Sequence, residues 1–422
     1  MTAPTCNRYH TAFRAPPVYV FYMDSRFALA ARVADIAPFH VMEVQTAARA
    51  LEAAGRSIIH MEIGEPDFPT PAPVLAAAVR ALDAGDIYYT SALGLPELRA
   101  AIARHYAEHL GIRVAPERVI VTAGSSAALL LVMALVVDRG DEILLADPGY
   151  PCTRHFVRVL EGDPVRIAVG PESRYQLTAE SIARGWTTRT RGALIASPSN
   201  PTGTQVARDE MGRIAATVAR LGGHLIVDEI YLGLSYDGEP QSALETAAPN
   251  AENLFIVSSF SKYFNMTGWR LGWIVAPERH VRDLEKLAQN LYISPPTVSQ
   301  RAALACFTPE THSIVEERRR AFRERRDFLV PALRELGFGI PVTPTGGFFV
   351  YADCSRFGAD SERFCRDVLE GAGVAITPGI DFGTHRAGAH VRFAYTIAMP
   401  KLEDGVARLQ CFLGERTRAA LA

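Results

Sequence analysis

The sequence predicts an α/β protein: a mostly parallel sheet with helices on both faces, followed by a smaller α+β lobe. Three observations predict it. Short, almost continuous apolar runs alternate with helical patterns between about residues 119 and 258, as expected of strands buried on both faces. From about residue 306 the texture changes to a long charged amphipathic stretch with short strands after it. A length of 422 residues, 48% apolar and 21% charged, excludes a disordered chain and suffices for one two-lobed domain or two to three domains.

The elements follow in order. Residues 41–54 read as a helix ended by Gly55, and 58–63 as a short strand. Residues 73–84 form an Ala-rich helix, and 95–109 another that Pro96 opens. Strands are expected at 119–123, 142–146, 192–196, 224–227 and 254–258. Helices fall between them, at 125–137 and 209–221. The C-terminal lobe holds a long helix at 313–336, strands at 347–352 and 391–395, and helices at 361–370 and 402–413. The run 316–327 mixes Glu and Arg at i,i+3 and i,i+4 spacing, so it reads as a solvated helix face rather than a nucleic-acid patch.

Residues 1–22 lack acidic side chains, contain Pro4, Pro16 and Pro17, and show no period. They read as a disordered extension or an over-called start, with Met23 just before the first helical pattern. The formal net charge of −2 offers no whole-protein field for nucleic acid or an anionic membrane. No apolar stretch approaches the roughly 18 residues of a membrane span. Six cysteines without a CxxC pair read as reduced thiols of a cytoplasmic protein, and Cys152 with His155 is too few ligands for a structural metal. No glycine-rich dinucleotide or P-loop motif is present.

Of the 44 basic residues only three are lysines: Lys262, Lys286 and Lys401. Lys262 follows a strand, within Ser258-Ser-Phe-Ser-Lys262, and Arg270 closes a Gly-Trp-Arg turn eight residues on. An amine among hydroxyls and a guanidinium is what a phosphate-bearing aldehyde cofactor needs. Asp228 ends the strand before Glu229-Ile-Tyr231. A carboxylate there either pairs with a protonated ring nitrogen or caps the next helix. Ser197-Pro-Ser-Asn200-Pro-Thr-Gly203 also follows a strand, and is by itself a common turn.

Along the chain the clusters run Asn200, Asp228 with Tyr231, Lys262 and Arg270, and together they resemble fold-type-I pyridoxal-phosphate enzymes, specifically class I/II aminotransferases, over roughly residues 26–415. The resemblance implies pyridoxal 5'-phosphate as cofactor and a small domain built from the N- and C-terminal segments. Its boundaries would be 23–70 for the first segment of the small domain, 71–305 for the cofactor-binding domain and 306–422 for the second segment. Lys262 matches the Schiff-base lysine and the base at Cα, Asp228 the ring-nitrogen partner, and Asn200 with Tyr231 the pair on the ring oxygen. Ser259, Ser261 and Arg270 match phosphate ligands, joined by Ser125 and Ser126 at a helix start. Tyr150 matches the ring stacked on the cofactor. Tyr89, or its neighbour Tyr88, matches a tyrosine that reaches the phosphate of the other subunit, which implies a homodimer with shared sites. Gly64 matches the loop that crosses the substrate pocket, and Arg392 the arginine that grips the α-carboxylate.

The implied activity moves an amino group from an L-amino acid to a 2-oxo acid in two half-reactions. Ser126 stands where relatives that use dicarboxylates place a lysine, and Phe39 near the pocket points to a neutral or aromatic side chain. A carbon–sulfur lyase on the same scaffold shares this residue set, and product analysis separates the two. A regulator carrying such a module would need an appended DNA-binding domain, for which the leader is too short.

Overall fold

The computed structural model describes residues 29–246 and 251–421. The expectation for residues 1–22 lies outside them. Helix α1 (His40–Ala53) leads into the short strand β1 (Ile59–His60). Helices α2 (Ala72–Asp83) and α3 (Pro96–Leu110) follow, each with Pro in its first turn.

The main sheet contains β2 (Val119–Thr122), β3 (Glu142–Asp147), β4 (Asp163–Ala168), β5 (Thr190–Ala196), β6 (His224–Asp228), β7 (Leu254–Ser259) and β8 (Gly272–Val275). Their order across the sheet is β2-β8-β7-β6-β5-β3-β4. Only β8 runs against its neighbours β2 and β7. The other pairs are parallel, so β2, β3, β5, β6 and β7 all end on one edge.

Alternation along these strands builds two cores. Ile226, Val257, Ile274 and Leu194 face α4 (Ser125–Val136) and α8 (Glu278–Leu291) through Leu129, Val132, Leu284 and Ala288. Their sequence neighbours Val227, Ile256, Val275 and Ile195 face the opposite side. There α3, α6 (Ala179–Gly185) and α7 (Arg208–Arg220) supply Ile102, Ile182 and Ile214. Helix α5 (Pro151–Val159) links β3 to β4. Strands this apolar on both faces need helices over both.

The smaller lobe has a three-stranded antiparallel sheet of β9 (Phe349–Asp353), β11 (Thr377–Pro378) and β12 (His390–Ala394), with β12 central. The N-terminal β1 pairs in parallel with β10 (Val374–Ala375). Helices α10 (Pro309–Glu335), α11 (Ser361–Ala372) and α12 (Met399–Leu421) pack around it, and α9 (Thr297–Ala303) packs on α2.

Three local expectations need correction. Residues 58–63 pair only at Ile59 and His60, because β10 opposite them is two residues long. Strands β4 and β8 lie outside the strand pattern read from the sequence. Strand β4 is a half-exposed edge with no apolar run, and β8 is a four-residue segment that starts at the last glycine of Gly-Trp-Arg-Leu-Gly272. The Glu–Arg run on α10 is not simply a solvated face: Arg325 and Arg326 are 5% and 4% exposed. They flank the apolar stripe of Val315, Phe322 and Leu329 and form ion pairs with Asp67 and Asp237. Among the described residues no helix is long and apolar enough to cross a membrane.

Candidate active site

The strand ends on the common edge of the main sheet open onto a cavity of about 260 Å³ whose far wall is the small lobe. Phe39, Gly64, Ser125, Ser126, Tyr150, Asn200, Asp228, Tyr231, Lys262 and Arg392 all line it. They arrive from five strand-end loops, the N-terminal segment and β12, which is why distances in sequence of up to some 350 residues collapse into one site.

Asp228 is the last residue of β6 and is 5% exposed. Its Oδ1 accepts the Ile230 N–H at 3.1 Å, a local turn rather than a cap on a regular helix. Burial pushes its carboxyl up to about 6, and the Ile230 bond opposes this. Tyr231 stands next to it, with its ring edge-on to Phe348 at 5.3 Å. Burial raises the Tyr231 phenol well above its ordinary range.

The Lys262 Nζ donates to the Gly64 carbonyl at 2.7 Å. Desolvation pushes its amine down to about 8, with Glu65 opposing and Arg270 and Arg392 adding repulsion. A lysine at about 8 is roughly one-tenth neutral at pH 7, whereas an ordinary one is neutral less than about once in a thousand. The other two lysines have no such setting. Lys286 is exposed and paired with Asp283 at 2.6 Å, and Lys401 is exposed on α12.

Arg392 occupies the central strand of the small sheet at 2% exposure. Its Nη1 donates to Asn200 Oδ1 at 2.9 Å. Its Nη2 donates to the Glu62 carbonyl and to Thr377 Oγ1. The guanidinium lies over the rings of Phe349 at 4.3 Å and Phe382 at 4.8 Å. Its Nε is buried without a partner. Burial lowers its pKa to about 10, opposed first by Asp381, so the charge persists at neutral pH.

A second cluster sits beside the cavity, where α4 begins. No side chain caps its N-terminus, so the first N–H groups of Ser125 and Ser126 are free to meet an anion. The Arg270 guanidinium lies over Gly124: a Cβ there would come within 2.7 Å of Nη2. Gly272 is equally tight, since its Cβ would meet Ser125 N at 2.8 Å. The Ser259 hydroxyl bonds to Ser261 Oγ at 3.0 Å and accepts the Ser261 N–H at 3.1 Å. Asn265 and Arg270 both take left-handed backbone, at φ 53° and 51°, flanking the turn. Ser259, Ser261 and Arg270 thus adjoin the cavity without lining it.

Tyr150 caps α5 and meets Phe39 edge-on at 6.4 Å. Tyr89 does not join the cavity. It is 81% exposed, with Tyr88 at 79% and Ile87 at 53% beside it. Several contributors had no sequence signal of their own. Thr267 binds Glu65 at 2.7 Å, and Phe349, Phe382, Thr377 and Glu62 surround Arg392. Asp381 accepts the N–H groups of His40 and Val41 and so pins the start of α1 at the cavity.

The residues present fit pyridoxal 5'-phosphate. The bare helix start under a guanidinium suits a phosphate, and the buried Asp228 lacks a cationic partner of the kind a protonated ring nitrogen provides. A family profile described as aminotransferase class I and II matches residues 56–409. The valine–pyruvate aminotransferase of Mycobacterium tuberculosis is 40% identical over 391 residues, covering 93% of this chain and 99% of that protein. A crystal structure of an aminotransferase from the same organism superposes with a TM-score of 0.88 at 40% identity, covering 92% of this chain and all of that one. The aspartate aminotransferase of Thermus thermophilus with maleate gives 0.86 at 34% identity over 92% of this chain and 100% of that one. On its sequence, its fold and these relatives, the chain belongs to the class I and II aminotransferase family and is a transaminase.

Proposed function

We propose that this transaminase uses pyridoxal 5'-phosphate held by Lys262 as a Schiff base, and moves the amino group of an L-amino acid to a 2-oxo acid in a ping-pong cycle. The observation that carries the reading is Lys262: a desolvated amine with its pKa near 8, 2.7 Å from the Gly64 carbonyl and in one cavity with the buried Asp228. When bound, the cofactor supplies the aldehyde that takes up amines and a ring that accepts negative charge from the substrate Cα.

The chain's own residues supply the rest. Ser125, Ser126, Ser259, Ser261 and Arg270 would hold the phosphate, and Tyr150 the ring face. Asp228 would keep the ring nitrogen protonated, and that positive partner would return its carboxyl to the ionised form. Asn200 and Tyr231 would hold the ring oxygen. Arg392 would grip the substrate α-carboxylate with its planar fork, which lies over Phe349 and Phe382, and so aim the Cα–H bond. Lys262 Nζ would take up that proton, and its lowered pKa keeps a usable neutral fraction.

Phe39, Val41, Met42 and Ile63 wall part of the cavity, which favours a donor with an apolar side chain. The relative named valine–pyruvate aminotransferase supports that choice. The exposed Tyr88–Tyr89 stretch supports a homodimer in which Tyr89 completes the partner's phosphate site. The free thiols of Cys306, Cys354 and Cys365 support a cytoplasmic location.

A panel of amino donors against pyruvate and 2-oxoglutarate tests the activity. The expected products are a 2-oxo acid and a newly aminated acceptor. Ammonia with pyruvate would replace the proposal by an elimination reaction. Lys262→Ala should lose the visible absorbance of the cofactor-loaded protein, and a band that persists would remove Lys262 from its role.

A further inference from the structure

Residues 64–70 cross the mouth of the cavity between the Lys262 loop and the C-terminal lobe. The Gly64 carbonyl accepts from Lys262 Nζ, and the Glu65 carboxylate accepts from Thr267 Oγ1 at 2.7 Å. Pro66 and Pro69 keep the segment out of any strand ladder. Its path is held instead from α10. Arg325 Nη1 and Nη2 donate to Asp67 Oδ1 and Oδ2 at 2.8 and 3.2 Å, and Nη1 also donates to the Thr396 carbonyl at 3.0 Å. Arg318 Nη1 donates to the Pro69 carbonyl at 2.6 Å and to Asn265 Oδ1 at 2.8 Å. Both guanidiniums lie over the Phe68 ring, at 4.8 Å for Arg325 and 5.2 Å for Arg318.

The burial of the pair is lopsided. The Arg325 side chain is 6% exposed and Asp67 is 29% exposed. A buried guanidinium without a carboxylate is costly, so Arg325 favours the position in which Asp67 meets it. The segment is thereby tied to the C-terminal lobe at Asp67 and Pro69. It is tied to the Lys262 loop at Glu65 and at Thr70, whose Oγ1 donates to the Asn265 carbonyl at 3.1 Å.

We propose that Arg325 and Arg318 are positioning residues for catalysis. By clamping Asp67, Phe68 and Pro69 they set the register in which Gly64 faces Lys262 and the incoming amino acid. The inference rests on the transaminase reading of the cavity and adds to it a requirement on residues that touch neither substrate nor cofactor. Arg270 of the phosphate cluster is one residue removed from the segment: its Nη1 donates to the Thr267 carbonyl at 3.1 Å, and Thr267 Oγ1 in turn donates to Glu65. Loosening the clamp weakens amino-acid and 2-oxo-acid binding while the cofactor stays.

The test uses the cofactor-loaded enzyme and two variants. Asp67→Asn keeps the shape and removes the charge at a partly exposed position, so it retains the fold. Arg318→Lys keeps the charge and loses the fixed fork. For Asp67→Asn the expected result is a roughly tenfold rise in KM for both amino donor and acceptor, the loss typical of one charge-assisted pair. The kcat should change by less than about twofold and cofactor retention should be unchanged. Arg318→Lys should shift the same two KM values in the same direction by a smaller factor. A purely structural role would lower the melting temperature and leave both KM values in place, and that outcome overturns the proposal, as does loss of cofactor with KM unchanged. If the wild type releases ammonia instead of transferring the amine, the transaminase reading fails. The donor KM of the variants still decides the clamp.

Discussion

The floor and the far wall of the cavity are built differently. The floor consists of side chains within a few residues of a strand end: Asp228 on β6, Lys262 after β7, Asn200 after β5 and Ser125 after β2. Each is placed by its own strand. The wall is Arg392 and what surrounds it. That guanidinium reaches Glu62, 330 residues away, and Asn200, 192 residues away, and it lies over Phe349 and Phe382. The two cations of the cavity show the chemical consequence. Lys262 has one neutral acceptor and a pKa near 8, so it readily gives up its proton. Arg392 has three oxygen acceptors and two aromatic faces, and stays charged. In the proposed function the floor would serve proton movement and the wall would hold a fixed anion.

Breaking the floor should have the larger effect. Asp228→Asn removes the buried carboxylate of the cavity floor, and kcat should fall on the order of 10³-fold, read in single-turnover assays with saturating cofactor. A loss under tenfold would mean the ring nitrogen has another partner. Breaking the wall should separate binding from cofactor retention. Arg392→Ala should raise the amino-acid KM roughly a hundredfold with cofactor still bound. If the variant loses cofactor and keeps its substrate affinity, the wall and floor are not the separate units described here.

Proton linkage sharpens the contrast. The folded-state pKa of Lys262 lies below its unfolded value, so between about pH 8 and 10.5 the unfolded chain binds more protons. Stability of the cofactor-free protein should therefore rise with pH across that window, by at most about 3 kcal/mol from this group. Denaturant titrations of wild type and Lys262→Ala at several pH values isolate it, because the difference between the two curves should change with pH across the window and stay constant above it. The smallest effect belongs to His60, which supports the wall from outside. Its Nδ1 meets the buried Glu62 at 2.8 Å and its Nε2 meets Glu52 at 3.2 Å, and the Glu62 hydrogen bond first of all raises its pKa. That contribution is present below pH 6.5 and is lost as pH rises through the raised folded-state value. In His60→Asn that pH dependence should be absent, by about 1 kcal/mol or less because the ring is partly exposed.

The floor was legible in the sequence because strand, turn and functional side chain are contiguous there. Lys262 among Ser259 and Ser261, Asp228 before Tyr231, and Gly124 before Ser125 could each be placed from a local pattern. The wall was legible only at Arg392, an arginine inside an apolar strand. Thr377, Phe382, Asp381 and Glu62 carried no pattern, since each meets Arg392 through pairing between β11 and β12 or across the lobe. The Glu–Arg run on α10 was read as solvated because i,i+3 spacing reveals a helix face but not what covers it. Asp67 and Asp237, far away in sequence, cover Arg325 and Arg326.

By itself the sequence determined the α/β class, through the period and apolarity of its strands. It also singled out Lys262 for the proposed role, because only one of three lysines follows a strand among hydroxyls and arginine cannot form an imine. The tertiary structure alone decided how basic that amine is, what flanks Arg392, and which arginines of α10 clamp the segment over the cavity. Those are questions of desolvation and long-range pairing, and both depend on which distant segments fold against a residue rather than on its neighbours in the chain.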